Sequence, residues 1–181
     1  SYFAAFKRPD GLLEKVDEKW NLVDWPGNLR DNYDFPLTIP IGDGCHNVIN
    51  AFYVGCVQTV EQIYSELSLD FEPEAEKLKQ AYNRCFFRAE SGIYVDSEHS
   101  SHASLHSNCL PAFFGLVPKG SEGTVAQILL QKGLCCGVYM AYFLLKGLAR
   151  LGEYDAVYRL LTDQGKNSWY NMVREGGTTC F

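Results

Sequence analysis

The sequence predicts an all-α protein of about seven helices that follow a long N-terminal loop. Three observations support this class: apolar residues recur at intervals of three and four, short Gly- or Pro-bearing turns separate these stretches, and almost no segment resembles a strand. Connections this short favour antiparallel helical hairpins. We therefore treat the chain as a single domain, with a loop segment at residues 1–44 and helical hairpins at residues 45–181.

The loop segment is rich in Pro, Gly, Asp and Asn, and the aromatic residues Trp20, Trp25, Tyr33 and Phe35 lie between them. This composition predicts irregular structure. A long loop in a compact domain is more often functional than decorative, so the segment is a candidate for binding residues.

Helical patterns begin at residue 47. Ile49, Phe52 and Cys56 start an amphipathic stripe, and Pro73 stands where the first turn of a second helix tolerates proline. Residues 93–95 are too few for a helix and predict a small hairpin or extended loop. The predicted helices cover residues 47–67, 73–86, 101–114, 123–133, 137–151, 154–162 and 168–175. No repeat of fixed length recurs, which favours an irregular α/α toroid over a binding solenoid.

Composition supports a globular protein and disfavours two classes of partner. In 181 residues, 46% hydrophobic and 14% aromatic content can build a sizeable core. The formal net charge of -6 repels polyanions, so neither nucleic acid nor an anionic membrane is expected as a partner. The longest apolar stretch of the helical part, residues 133–145, is too short to cross a bilayer.

The seven cysteines predict free thiols, because their number is odd and most lie in apolar helical patterns. This usage favours a reducing compartment and hence the cytoplasm. The adjacent pair Cys135 and Cys136 could suggest redox chemistry, but such pairs normally take the form CxxC at a helix start, so core packing is expected and no cofactor is implied. The sequence lacks an initiating Met, and we expect it to be part of a longer protein.

Asp24 and Trp25 are the first candidate site, because they stand together in a Gly- and Pro-containing loop rather than on a helical stripe. A carboxylate can accept hydrogen bonds from two sugar hydroxyls, and an indole face can cover the apolar C–H patch of a pyranose. The alternative is an indole that fills a gap beneath the loop, and composition alone favours that alternative.

His102 and His106 are the second candidate, because one helical turn separates them as it would separate two zinc ligands. The sequence has no HExxH motif and no nucleophile elbow, so we predict no metal there. We expect Ser100 or Ser101 to cap a helix whose histidines form hydrogen bonds at an element junction. Seven glutamates could supply a catalytic pair, but most are expected on solvated surfaces: Glu61, Glu66, Glu72, Glu74, Glu76, Glu153 and Glu175.

Several segments, in order, resemble the six-hairpin α/α barrel of bacterial α-L-rhamnosidases. The matching segments are residues 11–13, Trp20, residues 23–26 (VDWP), 51–53 (AFY), 101–106 (SHASLH), 114–118 (FGLVP), 144–152 (LLKGLARLG), 158–161 (YRLL), and Trp169 followed by residues 176–179 (GGTT). The resemblance covers nearly the whole chain, and its specificity lies in the ordered set rather than in one motif. It implies an incomplete barrel, and the unpartnered helix faces are expected to be exposed or to self-associate.

The resemblance also implies an activity. Family members hydrolyse terminal α-L-rhamnosides with inversion, using a general acid and a general base about 6.5–9.5 Å apart. The family's acid lies in a DxxxRxE-type motif that nothing here matches, and its base is the Glu after the TTxW or TTxF turn, whereas this sequence ends at Phe181, where the family shows Trp. Both catalytic carboxylates are therefore expected outside this chain, which alone should be inactive.

The resemblance assigns five residues to the substrate site. Trp25, together with Asp24, matches an aromatic platform of the rhamnose subsite, and Trp169, Thr178 and Thr179 match the segment that positions the base. Three other classes stay open: another α/α-toroid glycosidase, a polysaccharide lyase, or a non-catalytic helical interaction module. The relative position of Trp25 and Trp169 discriminates between them, because a carbohydrate enzyme needs both at one open cleft, whereas a scaffold would use them as separate packing residues.

Overall fold

A computed structural model describes residues 2–16, 21–33 and 44–179. Trp20, Phe35 and Phe181, which the sequence analysis singled out, lie outside the described residues. The seven helices predicted from the sequence are confirmed. They are α1 (Asn47–Glu66), α2 (Ala75–Phe86), α3 (Leu105–Phe114), α4 (Glu122–Lys132), α5 (Val138–Arg150), α6 (Tyr154–Thr162) and α7 (Trp169–Arg174). Two short 3₁₀ helices, Tyr2–Phe6 and Gly27–Leu29, belong to the loop segment.

The predicted hairpin near residues 93–95 is present as two short antiparallel strands, β1 (Phe87–Arg88) and β2 (Ile93–Tyr94). Phe87 pairs with Tyr94, and their rings lie 5.1 Å apart. The hairpin carries the chain from the end of α2 back toward the start of α3.

The helices pack as an arc of hairpins, which confirms the partial α/α toroid. Helix α1 packs on α2 and α3, α3 packs on α4 and α5, and α5 packs on α6. Helices α1, α3 and α5 therefore form one layer. Two glycines let them approach closely: a methyl on Gly55 would lie 2.2 Å from a ring carbon of Phe114, and one on Gly147 would lie 3.0 Å from the backbone oxygen of Cys109.

A continuous apolar core fills the space between these helices, with Tyr82, Phe86, Leu105, Leu110 and Leu144 among its fully buried side chains. None of the described helices combines the length with the apolar run that crossing a bilayer requires.

The predicted start of α3 is wrong: the helix begins at Leu105, not near residue 101, and its N-cap is Ser104. The Ser104 hydroxyl accepts a hydrogen bond from the Ser107 N–H at 3.1 Å. Asp96 selects this start, because its carboxylate accepts from the Ser104 N–H at 2.8 Å and from the Ser107 hydroxyl at 2.6 Å. Ser100 instead accepts from the His102 N–H in a local turn.

The far side of α1 exposes an apolar groove of about 490 Å³. Its lining includes Phe3 from the loop segment, and Val60, Tyr64 and Phe71 from α1 and the turn that follows it. Val60 is 51% exposed. This groove is the kind of unpartnered face that an incomplete ring is expected to show.

Candidate functional site

Asp24 anchors the aromatic loop to two helices of the α1, α3 and α5 layer. Its carboxylate, only 2% exposed, accepts a hydrogen bond from the Gly137 N–H at 2.7 Å at the start of α5. The same oxygen lies 2.8 Å from Nε2 of the fully buried His106 in α3. The other oxygen accepts from the Trp25 N–H at 2.8 Å. Because an ionised carboxylate can only accept, His106 carries its proton on Nε2.

Gly137 is required by this anchor. A methyl at this position would lie 2.4 Å from Oδ1 of Asp24 and 2.5 Å from the carbonyl oxygen of Trp25. The backbone angles of Gly137, φ -69° and ψ 164°, suit any residue, so close approach of the loop is the reason for glycine. In the sequence, Gly137 is recognisable only as a glycine directly before an apolar helix, and nothing there indicates its contact with the loop.

A second anchor lies seven residues along the loop. The Asp31 carboxylate accepts from the Leu105 N–H at 2.6 Å, at the first residue of α3, and from the Lys132 ammonium at 2.7 Å. The Tyr33 hydroxyl donates to the carbonyl oxygen of Asp96 at 2.8 Å and accepts from the Val48 N–H at 3.2 Å, in the first turn of α1. The loop is thereby tied to the N-terminal ends of α1, α3 and α5.

Arg30 brings a buried cation close to these carboxylates. Burial lowers the pKa of its guanidinium below the usual range, and the nearby Tyr33, Asp24 and Asp96 oppose that effect. An arginine nevertheless stays protonated, so the positive charge of Arg30 offsets the negative charges of the buried Asp24 and Asp96.

These anchors present Trp25 to solvent. Its side chain is 63% exposed, so it does not fill a gap beneath the loop. It borders an open hollow of about 570 Å³ whose walls also include Leu22, Pro26, Val138 and Tyr139. Tyr139 is 66% exposed in the first turn of α5. Tyr139 could not be identified from the sequence, because it continues the apolar pattern of α5 and nothing local marks it as exposed.

Trp169 lies at the same end of the arc. It is half-buried at the start of α7, where the Ser168 hydroxyl caps the helix by accepting from the Asn171 N–H at 3.1 Å. It lines a smaller cavity of about 200 Å³. Leu29 and Val138 border both this cavity and the hollow beside Trp25. The two tryptophans therefore flank one wall rather than opposite poles, although each borders its own cavity.

Thr178 and Thr179 follow the Gly176 break, where φ is +86°, and both are exposed. Neither contributes to the two cavities that Trp25 and Trp169 line. Their assignment to the substrate site remains a prediction, as it does for Asp24, Trp25 and Trp169.

His102 and His106 do not converge on one point. His102 precedes α3, and its Nδ1 lies 2.6 Å from Asp96, whereas His106 lies within α3 and faces Asp24. The expected hydrogen bonds at an element junction are present. A different set of donors could hold a metal: Cys45, Cys85 and Glu98 have ligand atoms within 4.8 Å of one another in the described part of the chain.

None of the seven glutamates considered for catalysis lines the Trp25 hollow. Glu61 has a structural role: its carboxylate accepts from the Glu74 N–H at 2.6 Å and the Ala75 N–H at 2.8 Å, at the start of α2. Glu175 pairs with Arg174 on the surface.

An arc of helical hairpins with exposed aromatic side chains at one end of the α1, α3 and α5 layer places the chain among the α/α toroids, an architecture that includes glycoside hydrolases. Within that class, the chain belongs to the bacterial alpha-L-rhamnosidase 6 hairpin glycosidase domain family, whose model matches residues 2–181. No curated protein matches the chain in sequence.

Two solved structures show the same fold. The Streptomyces avermitilis α-L-rhamnosidase, solved with L-rhamnose, has a TM-score of 0.67 and 18% identity over 98% of this chain and 16% of that chain. The native α-L-rhamnosidase of Aspergillus terreus has a TM-score of 0.62 and 19% identity over 96% of this chain and 20% of that chain. The chain thus spans about a fifth or less of the length of either enzyme.

Proposed function

We propose that this chain forms part of the sugar-binding wall of an enzyme that hydrolyses terminal α-L-rhamnosides with inversion, and that both catalytic carboxylates lie outside these residues. One observation supports the binding role above the others: an exposed Trp25 is held in place by a buried, fully engaged Asp24. A binding site needs this combination, because a preorganised side chain loses little conformational entropy when its ligand arrives.

The hollow beside Trp25 suits a deoxyhexose. The exposed indole and the phenol ring of Tyr139 border it, and Leu22, Pro26 and Val138 add apolar surface. A 6-deoxy sugar presents a methyl group and axial C–H bonds that pack on such a surface, while its hydroxyls face outward toward polar groups. Indole and phenol also keep one hydrogen-bond donor each for those hydroxyls.

Asp24 supports binding indirectly in this proposal. Its two oxygens already accept three hydrogen bonds within the chain, and its carboxylate is 2% exposed. We therefore assign it to holding the Trp25 loop rather than to direct contact with hydroxyls. The same bonds make it unsuitable as a general acid or base, which supports placing both catalytic carboxylates elsewhere.

The proposal is tested in the full-length polypeptide that contains this chain. We expect hydrolysis of an aryl α-L-rhamnoside, with the β-anomer of rhamnose appearing first in the NMR spectrum. Trp25→Ala should raise KM by roughly 10-fold, because stacking on an aromatic face contributes about 1–1.5 kcal/mol. The control is Tyr158→Ala, which removes an aromatic side chain that is 68% exposed on α6, away from the hollow. Equal KM values for the two variants would refute the binding role of Trp25, and retention of configuration would refute inversion.

The isolated 181-residue chain gives a second test. It should show no turnover, since the proposal places both carboxylates outside it. If the isolated chain hydrolyses the substrate and replacing one of its glutamates or aspartates abolishes that activity, the placement of the catalytic groups is wrong. Activity that persists in every such variant would come from a contaminating enzyme.

A further inference from the structure

A cluster of metal-binding donors lies where three chain segments meet, away from the Trp25 hollow. Cys45 precedes α1, Cys85 lies in the last turn of α2, and Glu98 lies between β2 and α3. One donor atom from each lies within 4.8 Å of the other two. Cys45 is fully buried, and the other two are half-buried, so one side of the cluster stays open to solvent.

His99 follows Glu98 directly and lies near this cluster, although it is not among the donors that lie within 4.8 Å of one another. A methyl on Gly44 would lie 3.1 Å from Nε2 of His99 and 3.4 Å from Oε2 of Glu98, so the imidazole and the carboxylate border the same spot. His99 is exposed, and within the described ranges it forms no hydrogen bond that would hold its ring in another direction. A modest rotation of its side chain is therefore available.

Glu98 is already oriented for a ligand. Its Oε2 accepts from the Arg8 guanidinium at 2.6 Å and from the Cys45 N–H at 3.2 Å. Oε1 has no hydrogen bond to any residue the structure describes. In protein metal sites, residues that do not bind the metal commonly form hydrogen bonds to the ligating side chains and so hold them in position.

We propose that Cys45, Cys85, Glu98 and His99 form a structural zinc site. Two thiolates select zinc over magnesium or calcium, and sulfur, nitrogen and carboxylate oxygen ligands at about 2.0–2.3 Å complete a tetrahedron. As the two zinc–sulfur bonds form, the two thiols release their protons to solvent. No redox step and no further reactant is needed.

A bound zinc ion would link the start of α1 to the end of α2 and to the segment that leads into α3. The site uses neither Trp25 nor any residue of its hollow, so it is independent of the proposed function. These cysteines were expected to pack in the core, because the four ligands come from three separate segments and lack the spacing of a zinc-binding motif.

Zinc binding is measured on the reduced chain after treatment with a chelator. Titration with zinc against a competing chromophoric chelator should give one tightly bound ion per chain. Cobalt titration should give the absorption bands of a tetrahedral site and a sulfur-to-cobalt charge-transfer band. Cys85→Ser should weaken zinc binding at least 100-fold and remove most of that band, and His99→Ala should weaken binding roughly 10- to 100-fold and leave the band in place.

The matched control is Cys56→Ser, which removes an exposed thiol of α1 outside the cluster and should leave zinc affinity unchanged. Cys85 and His99 are chosen because neither is fully buried, so their replacement should leave the fold intact, which circular dichroism checks. The proposal is overturned if the reduced chain takes up no zinc, if Cys85→Ser binds as the wild type does, or if Cys56→Ser loses the ion instead.

Discussion

Replacing Asp24 by alanine tests the anchor on which the position of Trp25 depends. The change removes the acceptor for the Gly137 N–H and for His106 Nε2, both buried, and for the part-buried Trp25 N–H. A buried donor left without a partner costs about 1–3 kcal/mol. Two such donors, together with a weakened third bond, give an expected loss of about 3–5 kcal/mol in the free energy of unfolding.

A loss of that size is large against the total stability of a domain, which is about 5–15 kcal/mol. At roughly 2–4 °C per kcal/mol for a chain of this size, Asp24→Ala should lower Tm by about 6–20 °C. Asp24→Asn should lower it by about half as much, because the amide oxygen can still accept from His106 and Gly137, while its NH₂ group then faces the Trp25 N–H.

Thermal and urea unfolding, followed by circular dichroism, measure these differences in the free energy of unfolding. The control is Asp163→Ala, which removes an exposed loop carboxylate that accepts one bond from the Gly165 N–H at 3.0 Å. It should change stability by less than about 0.5 kcal/mol. If Asp24→Ala also stays within that range, the anchor does not hold the loop, and our account of the exposed Trp25 fails.

Three further predictions concern other features of the chain. Gly137→Ala should lower the free energy of unfolding by about 1–3 kcal/mol, because the added methyl would lie 2.4 Å from Asp24 in the loop. The control Gly123→Ala, which has nothing within 4 Å, should stabilise α4 by about 0.4–1 kcal/mol. Equal effects of the two changes in urea unfolding would contradict this prediction. With Ellman's reagent at pH 8, the exposed Cys56 should react first and Cys109 only on unfolding, because burial raises the pKa of Cys109 and leaves little thiolate; matching rates would count against it. The 181-residue chain should self-associate through the apolar groove of α1, and Tyr64→Glu should reduce this in light scattering; a monodisperse wild-type monomer over a wide concentration range would exclude it.

Helix positions could be predicted from the sequence because the signal is local. The stripe that starts at Ile49 places the first helix at residues 47–67, and the structure gives Asn47–Glu66. The start of α3 could not be predicted, because Ser100, Ser101 and Ser104 are equally good caps by type. The choice depends on the Asp96 carboxylate, which holds the Ser104 N–H in the folded chain.

The exposure of the indole at the candidate site could not be predicted from the sequence. An acid beside an indole in a loop pointed to Asp24 and Trp25, yet composition favoured a buried indole. Its exposure depends on partners 82 and 113 residues away, His106 and Gly137, which no local pattern connects to the loop. The same limitation hid Tyr139, because most of the residues that line the hollow with it come from the loop segment, more than a hundred residues away in sequence.

Charge at the helix ends favours a neutral substrate over an anionic one. The N-terminal end of an α-helix carries a partial positive charge that attracts anions. At the start of α5 that place is taken by Asp24, through the Gly137 N–H, and at the start of α3 it is taken by Asp31, through the Leu105 N–H. At both helix ends, a carboxylate of the chain already occupies the place where an anionic ligand would accept hydrogen bonds. Under the proposed function, this wall is therefore expected to fit a neutral glycoside better than the uronate substrate of a polysaccharide lyase. Asp31→Asn tests whether the carboxylate excludes anions. If it does, the variant should bind a uronate more tightly relative to rhamnose than the wild type does. An unchanged ratio of the two affinities would refute this role of Asp31.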